Sequence, residues 1–147
     1  LGLIVVLPAA VFLQTATTRL DASEISVQRS RAQLYAVLDA ERGVVEQLGR
    51  LGADRDRLES AYLTLLAPGP EPERSHRADA LVELLVAERT RSGAEVGAGG
   101  SVGGRVDRIV AARDQYETAA RDWYQQGQTT AGSIAITLGI ADAPTSP

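Results

Sequence analysis

The single histidine of the chain, His76, stands between Arg74 and Arg77. Imidazole is the side chain best suited to move protons or hold a metal near neutral pH. A metal site needs three or four ligands, and the chain supplies neither a second histidine nor a cysteine. His76 therefore reads as a solvated residue near a helix start. Glu41 with Glu46, and Glu71 with Glu73, are carboxylate pairs of the kind that perform acid–base work. On a polar helix face and in a proline-rich turn they read more simply as solvated charges. Ser30, Ser60, Ser75 and Ser92 have no neighbouring base and no nucleophile-elbow motif. The run GAGGSVGG (residues 97–104) holds no lysine and follows no strand-forming segment, so it fits neither phosphate-binding glycine fingerprint. The sequence thus assigns no catalytic residue, no cofactor-binding residue and no metal ligand. What remains is aromatic. Tyr116, Trp123 and Tyr124 recur at helical spacing on one face, either as core or as a patch that receives a partner helix.

The elements that carry these residues follow from composition and pattern. With 147 residues the chain suffices for one domain with a modest core. Its net charge of −4 gives no clustered positive face of the kind nucleic acids require, so no nucleic-acid partner is expected. The absence of cysteine excludes disulfides and thiolate metal sites. Aromatic residues make up only 4%, so the core must be built from Leu, Val, Ile and Ala.

Residues 1–18 carry no charge, and the first charged residue is Arg19. A bilayer-spanning helix needs about 20 apolar residues, and here Leu1–Leu13 supply an apolar run that contains Pro8. Because the chain opens on leucine rather than methionine, residues 1–18 are expected to be the C-terminal part of a truncated transmembrane helix. Proline is tolerated in such helices. A signal-peptide core ending near Ala16 and a buried helix of a globular protein are the alternatives. Arg19, Arg29 and Arg31 follow the apolar run and favour a cytoplasmic C-terminal side.

From Arg19 to Leu66 there is no proline. Leu20, Val27, Leu34, Leu38, Val45 and Leu48 form one apolar stripe, continued by Leu51, Leu58, Tyr62 and Leu65. This predicts a helix over 19–66, about 70 Å long if continuous, with a kink or break near Gly49–Gly52. The prolines of APGPEPE (67–73) set a firm boundary. Ser75 is the expected N-cap of a second helix over 75–91, apolar on more than one face through Leu81–Val86. Residues 92–104 read as a flexible glycine-rich connection. A third helix is expected over 105–126, with Glu117 and Arg121 ordered as an i,i+4 pair. In 129–140, Ile134, Ile136, Leu138 and Ile140 alternate with strand period, but with no second strand to pair, a short helix or an extended segment on the bundle is more economical. Residues 141–147 read as a disordered tail.

Three stretches resemble the LemA family of bacterial membrane-anchored helical proteins. VQRSRAQLYAVLDAERGVVEQL (27–48) is similar to the family's first block, with Val27, Gln33, Leu34, Leu38, Val44, Val45 and Leu48 at its apolar and glutamine positions. LVELLVAE (81–88) resembles L-x-x-L-L-A-V-x-E. RIVAARDQYETAARDWY (108–124) resembles R-I-x-x-A-R-x-x-Y-N-x-A-V-x-x-Y-N through Arg108, Ile109, Ala112, Arg113, Tyr116, Ala119 and Tyr124. The chain departs from the family where Arg31 replaces a tryptophan, where Ala40-Glu41 and Glu46-Gln47 replace an R-R and a P-N pair, and where Glu117 and Gln125 replace asparagines. The F-P before the last segment is missing. The resemblance covers roughly 20–140.

The expected fold is all-α, an antiparallel bundle of three to four helices over 19–140 behind an N-terminal membrane anchor. The resemblance implies a tethered bundle without an established catalytic site. The expected role is a non-catalytic, single-pass, membrane-anchored interaction or scaffold module with its soluble part in the cytoplasm. Its partners are the lipid bilayer, through the N-terminal segment, and a protein whose identity the sequence does not give, a second copy of the chain included. The rival is an exported or envelope-facing sensor or receptor domain. A helical enzyme has no residue constellation to support it.

Overall fold

The structure, a computed structural model, describes residues 2–94, 101–129, 136 and 139, with side chains from Gln14 onward. Helices α1 (Gly2–Ala40), α2 (Val44–Arg50), α3 (Arg55–Leu66), α4 (Glu71–Ser92) and α5 (Val102–Gln128) account for the regular structure, and no strand occurs among the described residues. The protein is all-α. Its residues gather into two compact units, one of Leu1–Arg31 with Gln115–Pro147 and one of Ala32–Asp114.

In the first unit, α1 keeps its helical course through Pro8 and beyond the first charge. Ala16, Leu20 and Val27 are buried at spacings of four and seven, and on α5 Ala119 and Ala120 are buried as well. That spacing keeps one stripe of a helix facing its neighbours.

The second unit shows why the sequence stripe of 19–66 is not one helix. The chain leaves α1 through the turn Glu41–Gly43, where Arg42 N–H donates to Asp39 O (3.2 Å) and Val44 N–H to Glu41 O (2.8 Å). Such i→i−3 bonds tighten the backbone beyond α-helical winding. A second break follows α2. Gly52 adopts φ +93°, and Ala53 N–H reaches back to Leu48 O at 3.0 Å, the six-to-one closure of a Schellman motif. Only glycine enters that left-handed region without strain. Asp54 then caps α3, its carboxylate accepting from Arg57 N–H at 3.1 Å.

Helix α4 starts at Glu71, four residues ahead of the expected Ser75 cap. The prolines do not delay it. Pro70 is the extended N-cap, and Pro72 lies in the first turn, where its missing N–H would have had no helical acceptor. Glu71 and Glu73 thereby sit on the first turn, where carboxylates favour the positive helix end. At the other end, Gly93 (φ +68°) closes the helix with Ala94 N–H on Arg89 O at 3.2 Å.

Helix α5 likewise starts earlier than expected. Val102, Gly103 and Gly104 are helical, because Ser101 Oγ accepts from Gly104 N–H (3.1 Å) and so satisfies one orphan donor of the first turn. The helix also runs past 126 to Gln128. Residues 95–100 of the expected flexible connection, most of the 129–140 segment and the 141–147 tail lie outside the described residues.

The core of the second unit joins Leu34 and Leu38 of α1 with Val44, Val45 and Leu48 of α2. Leu58, Tyr62 and Leu65 of α3 and Leu81, Val82 and Leu85 of α4 complete its centre, with Val106, Ile109 and Ala112 of α5. Helices α2, α3 and α4 pack against one another. Each fully buried Leu, Val or Ile contributes roughly 1.5–3 kcal/mol of transfer free energy, which is how a chain so poor in aromatics holds together. Among the described residues no helix is long and apolar enough to cross a membrane.

Candidate functional site

The densest polar arrangement lies in the second unit, where the α1–α2 turn meets the first turns of α5. Glu41 is pinned there. Its Oε2 accepts from Arg105 Nε at 2.5 Å and its Oε1 from Arg108 Nε at 2.8 Å, with Arg108 Nη2 at 2.7 Å. Arg105 Nη1 also donates to Gln47 Oε1 of α2 (3.1 Å). Burial disfavours the Glu41 charge, but the bonds from Arg105 and Arg108 outweigh it and hold the carboxyl below its ordinary range. A carboxylate so fixed does not exchange a proton near neutrality. It joins the α1–α2 turn, α2 and α5.

A second buried carboxylate does similar work for α3. Glu88 of α4 is fully buried; its Oε2 accepts from the Asp54 N–H (3.2 Å), and Arg91 Nη1 lies 2.9 Å from its Oε1. The start of α3 is thereby tied to α4. Arg89 of α4 pairs with Asp107 of α5.

Beside the Glu41 cluster, a cleft opens between the end of α1, the end of α3 and the start of α4. It is lined by the apolar side chains of Leu38, Leu65 and Leu66, by Tyr35 and Tyr62, and by Asp39, Arg42 and Arg74. Its space is about 50 Å³, against ~300–1,000 Å³ for pockets that enclose small molecules. Arg74 stacks over the Tyr35 ring at 4.9 Å and pairs with Glu71 at 3.1 Å. The Tyr35 hydroxyl donates to Glu71 Oε2 at 3.2 Å, and burial first, then Glu71, push its pKa upward. The Tyr62 hydroxyl is buried and has no hydrogen-bond partner among the described residues. Burial, with the nearby Glu41 charge, pushes its pKa up to about 12.

Compared with known protein families, curated proteins and solved structures, the chain matches none.

The residues singled out from sequence are scattered. His76 is exposed on the second turn of α4. Glu46 is exposed and pairs with Arg50 on α2, and Glu73 pairs with Arg77 on α4. Tyr116, Trp123 and Tyr124 lie together on α5 in the first unit, each half-buried. Among the described residues no three His, Cys, Asp or Glu side chains come together as a metal site. Glu41, expected to be a solvated charge, is instead buried between guanidinium groups. The signal was present in its register: Leu34, Leu38, Glu41, Val45 and Leu48 are spaced 4, 3, 4, 3, so Glu41 occupies a core position of the stripe. Glu88 continues Ala78, Leu81 and Leu85 in the same manner. A carboxylate in core register needs a cation or a donor, and each has found one.

Proposed function

We propose that the chain is a membrane-tethered helical interaction or scaffold module of the LemA type, an antiparallel bundle of three to four helices whose N-terminal apolar run sits in the bilayer and whose soluble part faces the cytoplasm. The observation that carries this reading is α1. Its 39 residues run without interruption from the uncharged N-terminal stretch to Ala40, so the apolar run and the packed domain share one helix. The polar clusters support a non-catalytic role. Glu41 and Glu88 are engaged in holding helices together, and the half-buried aromatics of α5 offer a contact face rather than a reacting group. The stretches that resemble LemA contribute Leu34, Leu38, Val45, Leu48, Leu81, Leu85, Ile109 and Ala112 to the core, as expected if a shared pattern encodes a shared packing. The arginines after the apolar run favour the cytoplasmic side.

The test uses the absence of cysteine from these 147 residues. Ser60 is exposed on α3, and Ser60→Cys, made in the full-length protein with any cysteine outside these residues replaced by serine, gives one reactive thiol. Recovery in the membrane pellet after alkaline washing, with labelling by an impermeant thiol reagent only after permeabilisation, is expected. Recovery in the wash overturns the tether. Labelling in intact cells overturns the cytoplasmic placement in favour of an envelope-facing sensor.

A further inference from the structure

Charge is spread through most of the sequence, and its gaps fall in one place. The two longest uncharged stretches are 1–18 and 123–141, and between them no stretch without charge is longer than residues 60–70. Both belong to the first unit, which is made of Leu1–Arg31 and Gln115–Pro147. On α1 the charges start at Arg19, and on α5 they stop at Asp122. Trp123 and Tyr124 follow at once, each half-buried. Ala119, Ala120 and Gly127 form the buried stripe of this part of α5. At 3.6 residues per turn, Trp123 and Tyr124 stand about 100° apart on the two flanks of the line from Ala120 to Gly127, and only about 1.5 Å apart along the helix axis. Neither the Trp123 indole nor the Tyr124 hydroxyl has a hydrogen-bond partner among the described residues.

We infer that the end of α5 is a lipid contact, in which Trp123 and Tyr124 seat in the headgroup layer of the bilayer that holds the apolar run of α1. The assignment rests on the reading of the chain as membrane-tethered, and it names the lipid surface as the partner of the aromatic patch. Three observations favour lipid over a partner helix. A docked helix needs anchors spaced along one stripe, and on α5 that stripe, through Ala119, Ala120 and Gly127, is already buried. Trp123 and Tyr124 share one level on its two flanks instead, which is how a belt is built. Their chemistry agrees: an apolar ring with a polar tip is what the water–lipid boundary collects. The third observation is the charge boundary. Hydrocarbon excludes charged side chains, so the place where charge ends along a helix marks the level of the surface, and on α5 that place is Asp122, directly before the two rings.

Trp123 is the only tryptophan of the 147 residues, so its fluorescence reports its own surroundings. The full-length protein, with any tryptophan outside these residues replaced by phenylalanine, is reconstituted in phosphatidylcholine vesicles. The lipid chains carry bromine, a contact quencher, either next to the headgroup or near the chain end. Trp123 is expected to lose most of its emission to bromine next to the headgroup and much less to bromine near the chain end. Tyr124→Trp in a Trp123→Phe background is expected to behave as the parent does. Gln115 is exposed on α5 eight residues earlier, about 12 Å along the helix, against a headgroup layer of ~5–8 Å. Gln115→Trp in the same background is therefore expected to keep its emission with either lipid. Thermal melting like that of the parent verifies that the variants fold. If the vesicles retain the protein and Trp123 is indifferent to both lipids, the lipid contact is overturned in favour of a partner protein, while the tether stands. Stronger quenching by chain-end bromine, or equal quenching of Trp123 and Gln115→Trp, overturns it as well, because no headgroup level is then marked. Loss of the protein from the vesicles on alkaline washing overturns the tether, and this contact with it.

Discussion

Replacing Glu41 with alanine takes one carboxylate from between two guanidinium groups and leaves Arg105, only 21% exposed, with no carboxylate and Gln47 Oε1 as its remaining acceptor. Hydrogen bonds to charged groups contribute ~1.5–3 kcal/mol each, and breaking a buried pair by removing one partner costs ~3–5 kcal/mol. Arg108 is half exposed, so water compensates much of its share. The expected loss is therefore about 2–4 kcal/mol, most of it through Arg105. For a chain of this length ~1 kcal/mol shifts Tm by ~2–4 °C, which places the variant roughly 5–15 °C below the parent. A double-mutant cycle with Arg105→Ala, read by urea unfolding, should return a coupling of ~1.5–3 kcal/mol. The pH dependence has a defined sign. Because the folded carboxyl lies below its ordinary value of 4.5, the contribution is present above the unfolded value and is lost as pH falls through the folded one. The parent should therefore lose more stability than Glu41→Gln does as pH falls below the ordinary carboxylate value of 4.5. A coupling within ~0.3 kcal/mol of zero, or parallel acid curves for parent and Glu41→Gln, refutes the view that this cluster fastens α5 to the α1–α2 turn.

Other expectations come from single residues. Tyr62→Phe removes a buried hydroxyl that has no partner among the described residues, so the variant should match the parent or exceed its stability by up to about 1 kcal/mol. A clear loss in chemical denaturation would show that the hydroxyl is satisfied. Absorbance titration of the parent should find a tyrosine ionising near 12, absent from Tyr62→Phe. Leu34 is 1% exposed, and Leu34→Asp buries an unpaired charge, so the cooperative melt should disappear at 25 °C or fall by ~4 kcal/mol or more; an unchanged melt would displace Leu34 from the core. Gly93→Ala forces a Cβ into φ +68° and should destabilise by about 1 kcal/mol, measurable as a lower urea midpoint.

Much of the architecture was legible because apolar periodicity is a physical requirement of helices that must bury one face. Leu20, Val27, Leu34, Leu38, Val45 and Leu48 were readable as one stripe, and all are buried. Breaks were harder. Glycines mark both breaks, Gly43 the first and Gly49 with Gly52 the second, whereas the contacts that Glu41 makes at the first break come from arginines more than sixty residues later, which local sequence does not encode. Helix α4 starts ahead of Ser75 because a proline in the first helical turn gives up no bond, although proline-rich sequence reads as turn. Ser101 is inconspicuous within a glycine run, yet its hydroxyl caps the start of α5. The cleft was not legible, since Tyr35, Arg42, Leu66 and Arg74 come together only through the fold.

Every one of the basic residues is an arginine; the sequence contains no lysine. The guanidinium groups around Glu41, Glu88 and Asp107 therefore keep their charge at any pH the cell visits. They are also beyond the reach of acetylation, which neutralises lysine and is a common way to loosen an ion pair. Within these 147 residues, covalent control of the helix contacts is left to arginine methylation, which keeps the charge but blocks bidentate hydrogen bonding, or to new negative charge at serine, threonine or tyrosine. A phosphate placed near Arg42 would meet the one cleft cation that has no carboxylate of its own.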